Sequence, residues 1–327
     1  MEKVAKIIQQ HQKFLITTHS QPDGDGLGSE MALHWYLKKI GKKSVVMNTH
    51  PTPAKFHLVD PHEEIQVYRP LVRLPQVDCV FVMDTNELKM LGALEEPLRK
   101  MGVPTIFIDH HVPDLENLSE HLIDEAYGST GELVYSFLRY LRAEVDAEMA
   151  LAIYVAIVTD TGSFRFKRTT ANSHRIAAEL LQKGVLPEQV FSQIYARDSF
   201  AKVRLFGHVL EHVQKSDDGR IAWIIVPKEL RERYQATVED TESYVNSLSY
   251  LQGVDIGILF REEDDGRVKI SLRGSSEVPV VGIAKKFGGG GHRHAAGAKL
   301  NQSLSEGVKA IVAEAQQLIA DYPLKRR

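Results

Sequence analysis

Apolar and polar positions fall into blocks along this chain, and the blocks change texture once. Val4, Ile7 and Ile8 share one face of a helix predicted over residues 2–11. The apolar run 14–18 predicts a strand, and Met31, Leu33, Leu37 and Ile40 predict a helix over 29–40 that stops at Gly41. A second strand is expected at 44–48. The Pro- and His-rich stretch 49–76 reads as loop, with His50, His57 and His62 on the surface. Continuous apolar runs at 77–83 and 104–108 predict two more strands, with a helix at 88–101 between them. Strands that are apolar throughout and separated by helices form a parallel sheet covered on both faces. Further helices are expected at 131–142, 147–158, 171–183, 188–196 and 198–214; the second is almost wholly apolar and should be buried.

The rest of the chain reads differently. Strands are expected at 220–226, 254–260 and 267–273, the last two as a hairpin across the turn 263–266. Helices are expected at 241–251 and 279–286, then a glycine run, a strand and a closing helix at 304–320. The fold class is therefore α/β: an N-terminal parallel-sheet domain, then a smaller C-terminal α/β domain. The expected boundaries are 1–187 for the first, 188–214 for a helical linker and 215–327 for the second; 327 residues suit two domains.

Composition narrows the class. Apolar content of 43% and charged content of 25% are those of an ordinary globular protein. A net charge of −3 argues against a basic surface for long nucleic acid. The single cysteine, Cys79, lies within a predicted strand, where a buried, unreactive thiol is expected. No disulfide framework, no signal-peptide core and no apolar run long enough for a membrane helix are visible, so a cytoplasmic setting without a membrane partner is expected.

The chemistry concentrates where apolar runs stop. Strand 14–18 runs into His19-x-x-x-Asp23-x-Asp25, with glycines at 24, 26 and 28 that let the backbone turn tightly. Asp84 follows the third strand, Asp109-His110-His111 the fourth, and Asp160 the apolar helix. Asp23 and Asp25 also suit a turn and a helix N-cap. In a parallel sheet, however, the carboxyl ends of the strands share one edge, and ligands bind there. That many carboxylates would repel one another and resist ionisation without cations. Two divalent ions about 3.5–4 Å apart would relieve this and support phosphoester hydrolysis. The histidines favour manganese over magnesium. Gly288 to Gly291 could present successive N–H groups to an anion, His292, Arg293 and His294 add donors, and Arg273 could bring a guanidinium to a phosphate.

As a set, His19-x-x-x-Asp23-x-Asp25, Asp84, Asp109-His110-His111 and Asp160-Thr-Gly resemble the four motifs of the DHH phosphoesterases. Gly289-Gly-Gly-His292-x-x-Ala295-x-Gly297 resembles the signature of the DHHA1 domain. Length and layout are similar to the nanoRNase and pAp phosphatase branch. The resemblance implies that His19, Asp23 and Asp84 hold one manganese, and Asp25, Asp84, His110 and Asp160 a second, with Asp84 bridging. It implies that Asp109 fixes ligand orientation, that His111 faces the scissile phosphate, and that Gly289, Gly290, Gly291, His292 and Arg273 bind the nucleotide. The reaction implied is in-line hydrolysis of short RNA oligonucleotides to mononucleotides and of pAp to AMP; a homodimer is compatible with it. The alternatives are a cyclic or linear dinucleotide phosphodiesterase, a RecJ-like single-strand exonuclease, and a nucleotide-binding regulator without catalysis.

Overall fold

The computed structural model describes residues 1–70, 73–113, 118–275 and 277–322; the side chains of Leu118 and His292 lie outside that description. The chain divides into two compact units, Met1–Arg197 and Asp198–Arg327.

The first unit opens with α1 (Glu2–Gln10), β1 (Lys13–Thr18), α2 (Gly24–Lys39) and β2 (Lys43–Asn48). It continues through β3 (Ile65–Val67), β4 (Cys79–Met83), α3 (Glu95–Met101), β5 (Thr105–Asp109) and β6 (Leu122–Ile123), and ends in α4 (Thr130–Tyr140), α5 (Ala147–Asp160), α6 (Ala171–Leu181) and α7 (Pro187–Ile194). The strands lie in the order β3-β2-β1-β4-β5-β6, and every pairing is parallel. Phe14, Ile16, Phe81 and Ile108 bury one face of the sheet against α2, α4 and α5, while Leu15, Val80, Val82 and Phe107 fill the other. The order reverses between β1 and β4, which makes their carboxyl ends the expected ligand crevice.

Several expectations are corrected. The glycine-rich stretch after Asp23 is the first turn of α2 and not a loop. Its glycines are there for close packing: a Cβ on Gly26 would stand 2.2 Å from Thr18 Oγ1, and one on Gly28 2.2 Å from the Ala152 carbonyl oxygen. The stretch 49–76 holds a 3-10 helix at Ala54–Val59, seated by buried Phe56 and Val59, and strand β3. The helix expected at 88–101 is broken at Gly92, whose φ of +59° interrupts the 3-10 stretch Leu88–Leu94 that precedes α3. Strand β6 has no counterpart in the sequence reading, because two residues carry no periodicity.

The second unit runs α8 (Phe200–Glu211), β7 (Gln214–Lys215), β8 (Ile221–Val226), α9 (Lys228–Arg233), α10 (Val245–Leu248), β9 (Ile256–Glu262), β10 (Val268–Gly274), α11 (Val281–Lys286), β11 (Gly290–His292), β12 (Ala295–Leu300) and α12 (Leu304–Ala320). Its sheet has the order β11-β12-β10-β9-β8-β7, with β8 and β9 parallel and the other neighbours antiparallel. Ile311, Ala315 and Ile319 of α12 cover one face; Leu205 and Val209 of α8 join the core on Ala222 and Ile224. The expected helix 241–251 is reduced to a 3-10 turn and α10. The stretch 188–214 is not one linker: Val190 and Ile194 pack into the first unit's core, Leu205 and Val209 into the second's. The glycine run leads into a hairpin. Gly289 is bare because a Cβ there would lie 2.1 Å from the Gly297 carbonyl oxygen across the ladder.

Candidate metal centre

The site begins with a clamp on the end of β1. Thr18 donates its N–H to Asn48 Oδ1 (3.2 Å) and its hydroxyl to the Met83 carbonyl (2.9 Å), and Asn48 is held in turn by buried Glu30 (2.7 Å). The ends of β1, β2 and β4 are thereby fixed together, and His19 leaves from that point. Asp23 does cap α2, accepting from the Asp25 and Gly26 N–H groups at 3.0 and 3.1 Å. Both bonds go to Oδ1, the oxygen that also faces His19, and the capping bonds leave Oδ2 out, so the N-cap reading and the ligand reading of Asp23 are compatible.

Asp25 points the other way, inward, and is 1% exposed. It accepts the Thr130 and Gly131 N–H groups at 2.7 and 2.8 Å, so the open N-terminus of α4 is aimed at a buried anion. The Thr130 hydroxyl binds Asp84 at 2.8 Å. Asp84 itself has a φ of +58°, a left-handed conformation that aspartate tolerates better than most residues. Asp109, the last residue of β5, is fully buried and accepts from Asn86 Nδ2 (2.6 Å), the His110 N–H (2.8 Å) and His111 Nδ1 (2.7 Å). Asp160 ends α5 rather than a strand.

These pieces make two groups that share one residue. His19 Nε2 is 3.7 Å from Asp23 Oδ1 and 3.6 Å from Asp84 Oδ2. His110 Nε2 is 3.6 Å from Asp25 Oδ2, 3.7 Å from Asp84 Oδ1 and 3.3 Å from Asp160 Oδ2. Asp84 thus turns one oxygen to each histidine. In each of three sets, His19 with Asp23 and Asp84, Asp25 with His110 and Asp160, and Asp84 with Asp109, His110 and His111, ligand-capable atoms lie within 4.8 Å of one another.

The electrostatics call for a cation. Burial, then repulsion from Asp84, Asp160 and Asp23, holds the Asp25 carboxyl well above the usual range. Asp84 is pushed the same way by burial and by Asp23, Asp160 and Asp109. Asp160 rises to about 6, from burial and Asp23. His110 falls to about 3, from burial and from the charges of His111 and Arg168, and is a neutral imidazole. With its Nδ1 3.3 Å from the Tyr127 carbonyl, its Nε2 faces three carboxylates. Asp160 Oδ2, buried, makes no hydrogen bond to any of the described residues. Acceptors facing acceptors in a buried pocket fit divalent cations, and these residues form a candidate acidic metal-binding cluster.

All six ligand residues expected from the sequence meet at one edge, with Asp109 and His111 beside them. Arg273 lies on β10 of the second unit, where its Nε donates to Asn246 Oδ1 at 3.0 Å. Gly289, Gly290 and Gly291 lie at the start of the β11 hairpin, and the His292 side chain falls outside the described atoms. The sequence reading missed Asn86, Thr130, Gly131 and Arg168. A signal existed for two of them: Ser129-Thr-Gly-Glu132 has the spelling of a helix start, and Ser129 does cap Glu132 N–H. For Arg168, whose Nη1 lies 3.1 Å from His110 Nδ1, none did.

Comparison with known proteins agrees in both units. Residues 13–157 match the DHH family, N-terminal domain, and residues 224–321 match the DHHA1 domain. The bifunctional oligoribonuclease and PAP phosphatase NrnA of Thermus thermophilus is 33% identical over 289 residues, 87% of this chain and 83% of that protein. Its namesake from Bacillus subtilis is 28% identical over 312 residues, 91% and 92% of the two chains. An exopolyphosphatase-related protein from Bacteroides fragilis superposes with a TM-score of 0.90 at 26% identity, covering 98% of this chain and 95% of that one. An exonuclease RecJ bound to manganese shares the fold, with a TM-score of 0.52 at 14% identity over 98% and 94% of the two chains.

Proposed function

The chain belongs to the DHH phosphoesterase family, with a DHHA1 domain following the DHH domain in sequence, and on that premise we propose that it is a manganese-dependent phosphohydrolase that degrades short RNA oligonucleotides to mononucleotides and dephosphorylates pAp to AMP. The observation that carries this reading is the meeting of His19, Asp23, Asp25, Asp84, His110 and Asp160 at the switch point of the parallel sheet. The names of the relatives from Thermus thermophilus and Bacillus subtilis support the substrate class.

When bound, two divalent cations supply Lewis acidity at the phosphate oxygens and acidity for the attacking water. His19, Asp23 and Asp84 would hold one, and Asp25, Asp84, His110 and Asp160 the other. Two imidazoles among four carboxylates favour manganese over magnesium. The remaining work falls to the chain. Thr130 and Gly131 aim Asp25, and Thr130 aims Asp84, so the ligand oxygens are placed before any ion arrives. Asp109 accepts from His111 Nδ1, which fixes the ring and turns Nε2 away from that carboxylate, where in the imidazolium form it would donate to the scissile phosphate or the leaving oxygen. Arg273, Gly289, Gly290, Gly291 and His292 would supply substrate-binding groups from the second unit.

No helix among the described residues is long and apolar enough to cross a membrane. The proposal includes a cytoplasmic setting, consistent with the lone buried thiol of Cys79, and is compatible with a homodimer. Its test is turnover of pAp, a diribonucleotide, a pentamer and cyclic di-AMP with chelator, magnesium or manganese. Hydrolysis of pAp and the dinucleotide, greatest with manganese and absent after chelation, is expected. Cleavage of cyclic di-AMP alone, or full activity after exhaustive chelation, overturns the reading.

A further inference from the structure

We propose that Phe166 is a nucleobase-stacking platform beside the metal centre, a subsite for one base of the oligonucleotide; this rests on the phosphohydrolase reading above. The segment that carries it leaves the cluster and returns to it. Asp160 ends α5 within the candidate metal groups, and Arg168, eight residues on, lays its guanidinium against His110 with Nη1 3.1 and 3.4 Å from the two ring nitrogens. Phe166 stands on the loop so formed.

The loop is held in an uncommon shape. Gly162, Ser163 and Phe164 have φ of +55°, +58° and +64°, three left-handed residues in succession. For Ser163 and Phe164 that conformation costs energy, and the surrounding structure must hold it. It does so through backbone bonds: Ser163 N–H to the Val158 carbonyl (2.7 Å), and the Arg165 and Phe166 N–H groups to the Thr161 carbonyl (both 3.0 Å). The Arg165 Nε adds a bond to the Gly162 carbonyl at 2.7 Å.

The two aromatic residues of the loop are used differently. Phe164 packs on the edge of the core and stacks on His174, with ring centroids 4.8 Å apart. Phe166 is 56% exposed. A Cβ built on Gly162 would lie 2.5–2.6 Å from three atoms at the outer end of the Phe166 ring. Near-equal distances to all three put that point over the ring face and not at its rim. One face of Phe166 therefore rests on the bare backbone of Gly162, while more than half of the residue's surface stays exposed. A single exposed phenylalanine is unremarkable on a surface. A ring laid flat on a glycine, on a strained loop anchored at both ends in a phosphoesterase site, is a built surface. Arg165, Lys167 and Arg168 flank it in sequence, and the Arg168 guanidinium lies against His110 in the metal cluster. Aromatic faces beside basic side chains are how proteins hold short single strands, the ring taking the base and the cations the phosphates.

The test uses the full-length, manganese-loaded protein. Calorimetric affinity is measured for a diribonucleotide whose scissile linkage resists hydrolysis, and kcat and KM for the ordinary diribonucleotide and for one lacking a base at a single position. Phe166→Ala is expected to raise Kd and KM roughly tenfold on the complete dinucleotide, in line with the loss of one base–aromatic stack. It should leave kcat and manganese affinity unchanged, and should match the wild type on one abasic substrate. Phe166→Trp should restore binding, which a merely structural role would not produce. Unchanged Kd and KM in Phe166→Ala, or an equal loss on every abasic substrate, overturns the subsite while the wild-type enzyme still hydrolyses dinucleotides. A wild-type protein that neither binds nor cleaves any nucleotide overturns the phosphohydrolase reading, and the subsite with it.

Discussion

Asp84 concentrates the conflict on which the site is built. It is buried, left-handed in its backbone and repelled by three neighbouring carboxylates, and its two oxygens face two different histidines. Replacing it with Asn keeps the Thr130 hydrogen bond and the tolerance of positive φ, whereas Ala would add about 1 kcal/mol of backbone strain. Asp84→Asn is therefore expected to abolish hydrolysis and yet to melt higher than the wild type when both are metal-free, because a buried charge has gone. Near-wild-type turnover by a folded Asp84→Asn protein would end the shared-ligand assignment. The neighbouring carboxyls also set a pH dependence. Asp160 titrates near 6 in the metal-free fold, above the ~3.9 of an unfolded aspartate, and Asp25 and Asp84 are shifted the same way. Neutral His110 gives up one proton on folding in this window, but the three raised carboxyls hold theirs, so the folded state still binds more protons than the unfolded one and stability falls as pH rises from about 4 through 6. Chelated protein should melt higher at pH 5 than at pH 8, and saturating manganese should raise the melting temperature more at pH 8. Melting curves with and without chelator at the two pH values check this; a metal-free protein most stable at pH 8 would mean the carboxylates are otherwise compensated.

At the scale of elements, glycine separates what the sequence made legible from what it hid. Apolar runs ending in His19, Asp84 and Asp109-His110 announced both the strands and the side chains that meet in the candidate site, because a fully buried strand needs no partner in order to be read. The glycines at 24, 26 and 28 suggested a turn by their own preference, and tertiary contact overrode it. α2 approaches β1 and α5 so closely that no side chain fits there. The clamp of Asn48 on Thr18 and the aim of α4 at Asp25 were hidden for a related reason: each joins residues far apart in the chain, and local pattern carries no trace of them. Arg168 was unreadable in the same way, since its position depends on three left-handed residues before it. The packing account makes a paired prediction. Gly28→Ala puts a methyl against the fixed Ala152 carbonyl and should cost about 3 kcal/mol, the upper range for overpacking. Gly207→Ala, in α8 with open space around it, should stabilise by up to about 1 kcal/mol. Denaturant midpoints of the two variants measure both, and equal shifts would show that propensity, not contact, governs these positions.

For the whole molecule, charge and layout decide which substrates suit it. The candidate metal ligands lie within Met1–Arg197, and the proposed nucleotide-binding groups Arg273, Gly289, Gly290, Gly291 and His292 lie within Asp198–Arg327. A net charge of −3 leaves no general electrostatic attraction for a polyanion, and long single strands are held by extended basic tracks with repeated stacking platforms. One exposed ring and a few cations beside the metal centre can satisfy a base and its phosphates, but a long strand would extend over a surface that repels it. Activity is therefore expected to fall as the oligonucleotide lengthens, with initial rates per chain end on a dinucleotide exceeding those on a twenty-four-mer by at least roughly tenfold, the equivalent of 1.4 kcal/mol. Added salt should narrow the gap by screening the repulsion that the longer strand meets. His292→Ala should weaken substrate binding while leaving manganese content unchanged, since the six expected metal ligands all belong to the first unit. Initial rates on the two substrates at low and high ionic strength, with metal analysis of the His292 variant, test the set together. Equal rates per end, or processive digestion of the longer strand, would assign the chain to single-strand exonuclease activity in place of short-RNA turnover.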